Sequence, residues 1–231
     1  MRTTGIIGGM TWKASLEYYR LMNQLVSERL GGTHSAKLIL WSVDFDEHVA
    51  IHERGGWEAL AGEIIEIARR LKSSGADFLV MAVNTIHRVA DQVEKAAGLP
   101  LLHIADAAAE GIKAAGMKRV GLLGTRHTMT EDFYRVRLRE RHGIEVLIPG
   151  VEDREAVDRI IYEELARGRF EEPSRRVCLE VIDRLNADGA EGVVLGCTEL
   201  PLLIMPEHTD VRLFDTLALH VRAAVDYALS A

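Results

Sequence analysis

Two stretches decide how this chain folds: Arg70–Thr85, RLKSSGADFLVMAVNT, and Arg184–Glu199, RLNADGAEGVVLGCTE. Aligned without a gap, Arg70, Leu71, Gly75, Ala76 and Val80 match Arg184, Leu185, Gly189, Ala190 and Val194, each pair 114 residues apart. Each stretch reads as the end of an amphipathic helix, a glycine that stops it, a short apolar strand and then a polar loop. Upstream, GIIGG (5–9) and GLLGT (121–125) recur at an offset of 116. Two pairs at nearly the same offset point to an internal duplication rather than to shared composition.

The rest of the chain extends this pattern. Further apolar runs predict strands at 37–43, 101–103, 145–148 and 211–214, beside those at 4–7, 78–82, 119–123 and 192–195. Helical spacing predicts helices over 14–30, 57–73, 130–141, 153–167 and 173–186. Strands alternating with helices of this length predict an α/β fold of parallel sheets covered on both faces. The expected architecture is two similar parallel-sheet α/β domains related by a pseudo-twofold, 1–104 and 105–205, with the active site in the cleft between them. The tail 206–231 is a candidate to rejoin the first domain. Ligands of open parallel sheets bind beyond the strand C-termini, so the loops at 8–11, 83–85, 125–128 and 197–199 are the expected site.

Composition narrows the chemistry. A formal net charge of -7 gives no basic footprint for nucleic acid or acidic membrane. No run of about 18 apolar residues suggests a membrane span, and the N-terminus lacks the apolar core of a signal peptide. Two cysteines in 231 residues read as reduced thiols, so the cytoplasm is the expected compartment and a small molecule the expected partner.

Cys197 follows the apolar run GVVLG and precedes Thr-Glu-Leu-Pro. With Thr198 read as a helix cap and Pro201 in the first turn, unpaired amides and the helix dipole would lower the thiol pKa toward neutrality, which suits a proton-transferring base. Cys178 sits among Val177, Val181, Ile182 and Leu185 at helical spacing and reads as core. Asn84, Thr85, Thr125, Thr128 and Thr198 are short polar side chains on these loops, and Met10 lies on the first of them. Hydroxyls, amides and backbone N–H groups can hold a carboxylate without a buried cation. His87 is placed to orient a loop or a substrate group. His52 and Arg54 are candidates for a second substrate carboxylate. The four-residue spacing of His48 and His52 finds no third ligand, so no metal is expected. The GIIGG stretch lacks the G-x-G-x-x-G spacing of a dinucleotide site.

GIIGGMTW (5–12), VNTIH (83–87), LLGTRHTM (122–129) and GCTEL (196–200), in this order, resemble the aspartate/glutamate racemases, which need no pyridoxal cofactor. LGGTHSAKLILWSVDF (30–45) and LLHIADA (101–107) are similar to the branch acting on acidic amino acids. The resemblance implies a homodimer, no cofactor, an acidic amino acid or dicarboxylate as ligand, and two thiols, one from each domain, working on opposite faces of Cα. Cys197 matches the second-domain cysteine. The first-domain cysteine is replaced by Val83, which is also the residue opposite Cys197 in the internal repeat. A basic residue that some aspartate racemases use for the distal carboxylate falls on Ala166 here. Three readings therefore stand: an isomerase acting at Cα of aspartate or glutamate, a one-thiol decarboxylase resembling arylmalonate decarboxylase, and a non-catalytic amino-acid-binding relative.

Overall fold

In a computed structural model, residues 1–230 are described. They form two compact units, Met1–Ile104 with the tail from His220, and Ala105–Leu219. The first unit runs β1 (Thr4–Gly8), α1 (Trp12–Leu30), β2 (Leu38–Ser42), α2 (Phe45–Ser73), β3 (Phe78–Met81), a 3₁₀ turn (Thr85–Val89) and α3 (Ala90–Ala97). The chain then passes through α4 (Ile104–Ala114), β4 (Arg119–Gly124), α5 (Arg126–Thr130), α6 (Asp132–His142), β5 (Glu145–Leu147), α7 (Val151–Glu163), α8 (Glu172–Ala187), β6 (Gly192–Gly196), α9 (Leu200–Leu203), β7 (Arg212–Asp215) and α10 (Thr216–Leu229).

Both sheets are parallel, ordered β2-β1-β3 and β5-β4-β6-β7. The strands β1, β3 and β6 are buried along their whole length. Burial on both faces is why they read as unbroken apolar runs rather than alternating ones. Because every strand runs the same way, all strand-to-helix loops of a unit leave one edge of its sheet.

Around the duplicated glycines the two units repeat each other closely. Gly5 pairs with Leu79 in the first sheet and Gly121 with Val193 in the second, so the sequence offsets of 116 and 114 meet at one register position. Gly75 and Gly189 both adopt φ +97°, a conformation that strains any residue with a Cβ. Each ends its helix in the same way: Ala76 N donates to Leu71 O at 3.1 Å, and Ala190 N to Leu185 O at 3.0 Å. The next residue then joins the neighbouring strand, Asp77 N to Thr3 O at 2.9 Å and Glu191 N to Arg119 O at 2.8 Å. Even the carboxylates correspond, Asp77 accepting from Thr3 N at 2.6 Å and Glu191 from Lys118 N and Arg119 N at 2.7 and 2.8 Å.

The helix expected over 153–167 ends at Glu163, before a 3₁₀ turn at Leu165–Arg167, and of the tail expected to rejoin the first domain from 206 only the part from His220 does so, since β7 joins the second sheet. Three further expectations need correction. The run 101–103 forms no strand; Leu101 makes a single bridge to Leu79, because Pro100 offers only its carbonyl and α4 begins at Ile104. The helix expected from 57 begins at Phe45, where the Asp44 carboxylate caps Glu47 N at 3.1 Å, and bends at Gly56 (φ 62°). The segment expected as one helix over 130–141 is interrupted: Thr125 starts the five-residue α5, and α6 follows Glu131.

At Gly121 an added Cβ would stand 2.9 Å from Leu185 Cδ1 and 3.1 Å from Val193 Cγ2, whereas at Gly62, inside α2, nothing lies within 4 Å. Gly121→Ala is therefore expected to destabilise by about 1–3 kcal/mol through overpacking, and Gly62→Ala to stabilise by roughly 0.5–1 kcal/mol through helix propensity. Urea unfolding followed by circular dichroism measures both, and equal effects at the two positions would contradict this packing.

Candidate active site

The sulfur of Cys197 sits on the turn that leaves β6, the strand buried between β4 and β7. Cys197, Thr198 and Glu199 are 7%, 5% and 5% exposed. The expected helix cap at Thr198 does not form: α9 begins only at Leu200 and has four residues, with Glu199 at the cap position and no side-chain cap bond. Thr198 turns its hydroxyl instead to Glu199 Oε2, donating at 2.9 Å. Cys197 Sγ donates to the same oxygen at 3.2 Å.

This arrangement reverses the expected acidity. Burial pushes the Cys197 thiol well above its ordinary value, and the Glu199 carboxylate reinforces it through its charge and its acceptor bond. The backbone amides of Glu199 and Leu200 pull the other way and are outweighed; Leu200 N itself donates to Cys197 O at 3.2 Å. A four-residue helix has little dipole to add. The site therefore sets a buried thiol of raised pKa in contact with a carboxylate.

The other candidates of the second unit lie on the neighbouring loop. Thr125 and Thr128 are buried and bound to each other, Oγ1 to Oγ1 at 3.1 Å, and Thr125 Oγ1 accepts from Thr128 N at 3.3 Å. They thus hold the start of α5. Arg126 N donates to Asp158 at 2.6 Å, and Tyr162, 42% exposed on the same α7, has its phenol pKa raised by partial burial and by the nearby Asp158 carboxylate. Neither Tyr162 nor Glu199 stands out as a site residue in the sequence. For Glu199, a carboxylate two residues after a thiol on a turn is the signal that could have marked it. Cys178 is fully buried among the apolar residues of α8 and pushed up to about 12, chiefly by burial.

In the first unit the loop after β3 carries Val83, Asn84 and Thr85. Val83 is half-buried against the apolar core and Asn84 is 2% exposed. His87 anchors the loop, its Nδ1–H donating to Val83 O at 2.8 Å; the carbonyl can only accept, so the tautomer follows. Behind it lies a cluster that sequence reasoning missed. The His103 and His220 rings centre 4.6 and 5.7 Å from that of His87, and His220 Nε2 donates to Leu102 O at 2.9 Å while Nδ1 accepts from Tyr18 OH at 2.7 Å. Met10 is only 4% exposed and belongs to the apolar core of this unit, so its loop rather than its side chain reaches the sheet edge. His52 packs edge-on against Trp57, 4.7 Å between ring centroids, and Arg54 is exposed with Nε donating to Ala50 O of its own helix. His48 is buried with Nδ1 on Glu63 at 2.6 Å, which occupies one nitrogen of the His48–His52 pair. Among the described residues no three His, Cys, Asp or Glu gather as metal ligands, and no helix is long and apolar enough to cross a membrane.

Residues 7–224 match the model of the Asp/Glu/Hydantoin racemase family. A putative Asp/Glu racemase from Yersinia pestis is 51% identical, with both chains covered completely and a TM-score of 0.93. An aspartate racemase homologue from Pyrococcus horikoshii OT3 is 38% identical, again over both whole chains, with a TM-score of 0.84. The glutamate racemase of Synechococcus sp. (strain CC9605) is 30% identical over 60% of this chain and 50% of its own; the chain spans about half the length of the curated relatives it matches. A mutant arylmalonate decarboxylase, 17% identical with a TM-score of 0.55, shares the fold.

A thiol whose pKa is raised on folding favours the folded state below its ordinary value, near 9, and that contribution is lost as pH rises through the folded value. Stability is therefore expected to fall above about pH 9, where unfolded thiols ionise while Cys197 and Cys178 stay neutral. Alkylation of Cys197 by iodoacetamide in the native protein is expected to be slower at neutral pH than that of a free thiol. Rapid alkylation at neutral pH would contradict that raised pKa.

Proposed function

This chain belongs to the Asp/Glu/hydantoin racemase family, and from that premise we propose that it is a cofactor-independent isomerase acting at Cα of an acidic amino acid, aspartate or glutamate, with Cys197 as its acid/base thiol. The observation that carries the reading is the Cys197 turn. It places a buried thiol on the strand-to-helix turn after β6, in hydrogen-bond contact with the Glu199 carboxylate and beside the Thr198 hydroxyl. Carbanion chemistry at Cα needs a base of this kind and a pocket of neutral donors for the α-carboxylate. Asn84, Thr85, Thr125, Thr128 and Thr198 supply short hydroxyls and an amide on the strand-to-helix loops, and His87 fixes the loop bearing the first two.

In this reading the thiolate of Cys197 removes the α-proton and the thiol gives it back. Val83 has no exchangeable proton, so the second face of the carbanion lacks the thiol that the resemblance implies, and return of the proton from Cys197 dominates over inversion. His52 and Arg54 remain the candidates for the distal carboxylate, in place of the basic residue that Ala166 replaces. The homodimer that the resemblance implies has one support in this chain. Trp12, Leu16 and Tyr19 are 62%, 52% and 50% exposed and, at spacings of four and three, share one face of α1.

A second reading is favoured by one observation, the Cys197 S–H donated to Glu199 Oε2 at 3.2 Å. A one-thiol decarboxylase needs an acid rather than a base: loss of CO2 from a substituted malonate leaves a planar enediolate, and Cys197 protonates it. Ala82 and Val83 then serve as an apolar wall.

Cys197→Ser is expected to lower α-proton exchange and racemisation of aspartate and glutamate by about 10²-fold or more, with Cys178→Ala near the unmodified protein. Full activity in Cys197→Ser would overturn both readings. Val83→Cys is expected to raise racemisation, within the roughly 10²–10⁴-fold that a positioned acid–base group contributes, as measured by chiral chromatography. CO2 release from phenylmalonate without any racemisation would favour the decarboxylase.

A further inference from the structure

A difference between the two units lies beside the strand that carries the thiol. Leu79 and Val193 stand 114 residues apart, at matching positions of β3 and β6. Leu79 bridges Leu101 and Val193 pairs with Leu213, so the residues three further on, Ile104 and Thr216, also correspond. Each is the first residue of a helix, α4 or α10, and each is fully buried. In the unit with Val83 the position is aliphatic. In the unit with Cys197 it carries a hydroxyl, and Thr216 Oγ1 donates to Leu195 O at 2.8 Å.

The fold accepts a hydrocarbon side chain at this position, as Ile104 shows, so packing does not call for the hydroxyl. What calls for it is its target. Leu195 is the last β6 residue paired with β7, opposite Asp215, and stands two residues before Cys197. Only Gly196 lies between, and it has no side chain by which to be held; a Cβ there would stand 2.9 Å from Leu123 O. Glycine leaves its own torsions permissive, so the grip on Leu195 sets where the thiol is delivered. Thr216 is a firm anchor for that grip. The chain passes from β7 straight into α10, and Asp215 Oδ1 caps the helix by accepting from Ala218 N at 3.1 Å.

We propose, on the basis of the racemase-type reading, that Thr216 is a positioning residue for Cys197. Its hydroxyl holds the end of β6 against β7 and so fixes the height at which the sulfur meets the reacting carbon. Thr216 exchanges no proton with sulfur or substrate; it acts through Leu195 and Gly196. A reacting group misplaced by about 1 Å costs on the order of 10²-fold in rate, so loss of this hold is expected in turnover rather than in binding. The matching side chain of the first unit, Ile104, offers no such bond, in keeping with Val83, which has no proton to deliver.

Thr216→Val removes the O–H and keeps the shape, and Thr216→Ser keeps the O–H and removes the methyl. The first measurement needs no substrate. In a Cys178→Ala background Cys197 is the only thiol of the chain, and its alkylation by iodoacetamide at fixed pH reports how often the end of β6 opens. Thr216→Val is expected to be alkylated roughly 3–10-fold faster, the factor that one hydrogen bond contributes, with Thr216→Ser close to the parent. The second measurement is α-proton exchange of aspartate and glutamate in D2O. In Thr216→Val kcat is expected to fall roughly 10–10²-fold with KM nearly unchanged, and Thr216→Ser to recover most of it. Alkylation or kcat that is unchanged in Thr216→Val overturns the proposal. So does a loss that lies wholly in KM, or a Ser variant that behaves like the Val variant in either measurement. Absence of exchange in the unmodified protein, or full exchange in Cys197→Ser, overturns the racemase reading instead, and the alkylation comparison then still decides whether Thr216 holds the thiol. Circular dichroism checks folding, and Thr216→Ala takes the place of Thr216→Val if that variant does not fold.

Discussion

Leu71 and Leu185 lie against the bare Cα atoms of Gly5 and Gly121, and the placement of everything else in each unit depends on that contact. A Cβ on Gly5 would meet Leu71 Cβ at 3.4 Å and Leu79 Cδ2 at 2.9 Å, and one on Gly121 would meet Leu185 Cβ at 3.3 Å. The missing side chain lets the helix approach the central strand, and the positive-φ glycine four residues after each leucine turns the chain straight into the neighbouring strand. Helix, strand and turn are thereby locked in one register. The loop after β3 and the loop after β6 then follow at the same distance from that lock, which is why Val83 and Cys197 correspond across the two units.

The parts of the fold set by two-sided burial are legible in the amino-acid sequence itself. β1, β3 and β6 are continuous runs because neither face meets water, and the duplicated glycines are visible because no other residue fits them. Less regular elements escape such a reading. The first turns of α2 carry Asp46, Glu47, Glu53 and Arg54 and end at Gly55 and Gly56, so their periodicity is weak and their stability comes from the Asp44 cap and from burial of His48 against Glu63. The buried histidines 87, 103 and 220 are scattered through the sequence and meet only in the folded first unit.

The site divides along the same line. Position 197 can be read from its place after a buried strand, and the odd residue at 83 from the repeat. The acidity of the thiol cannot, because its sign depends on two features that periodicity does not report: the length of α9, four residues rather than a full helix, and the direction in which Glu199 folds. In sequence terms the helix start after Cys197 argues for a thiolate. In three dimensions the turn buries the sulfur and sets a carboxylate 3.2 Å from it, and both raise the thiol pKa. In the proposed reading a second thiol is expected at position 83, where the side chain is saturated hydrocarbon.

The central claim is that one thiol serves one face, and following exchange and inversion together tests it most directly. Each enantiomer of aspartate and glutamate is incubated with the protein in D2O, with loss of the α-proton signal followed by NMR and configuration by chiral chromatography. The account predicts deuterium at Cα of one enantiomer with configuration retained, appearing faster than the opposite enantiomer. Inversion that keeps pace with exchange from both enantiomers would contradict it, because a second proton donor would then be at work opposite Cys197.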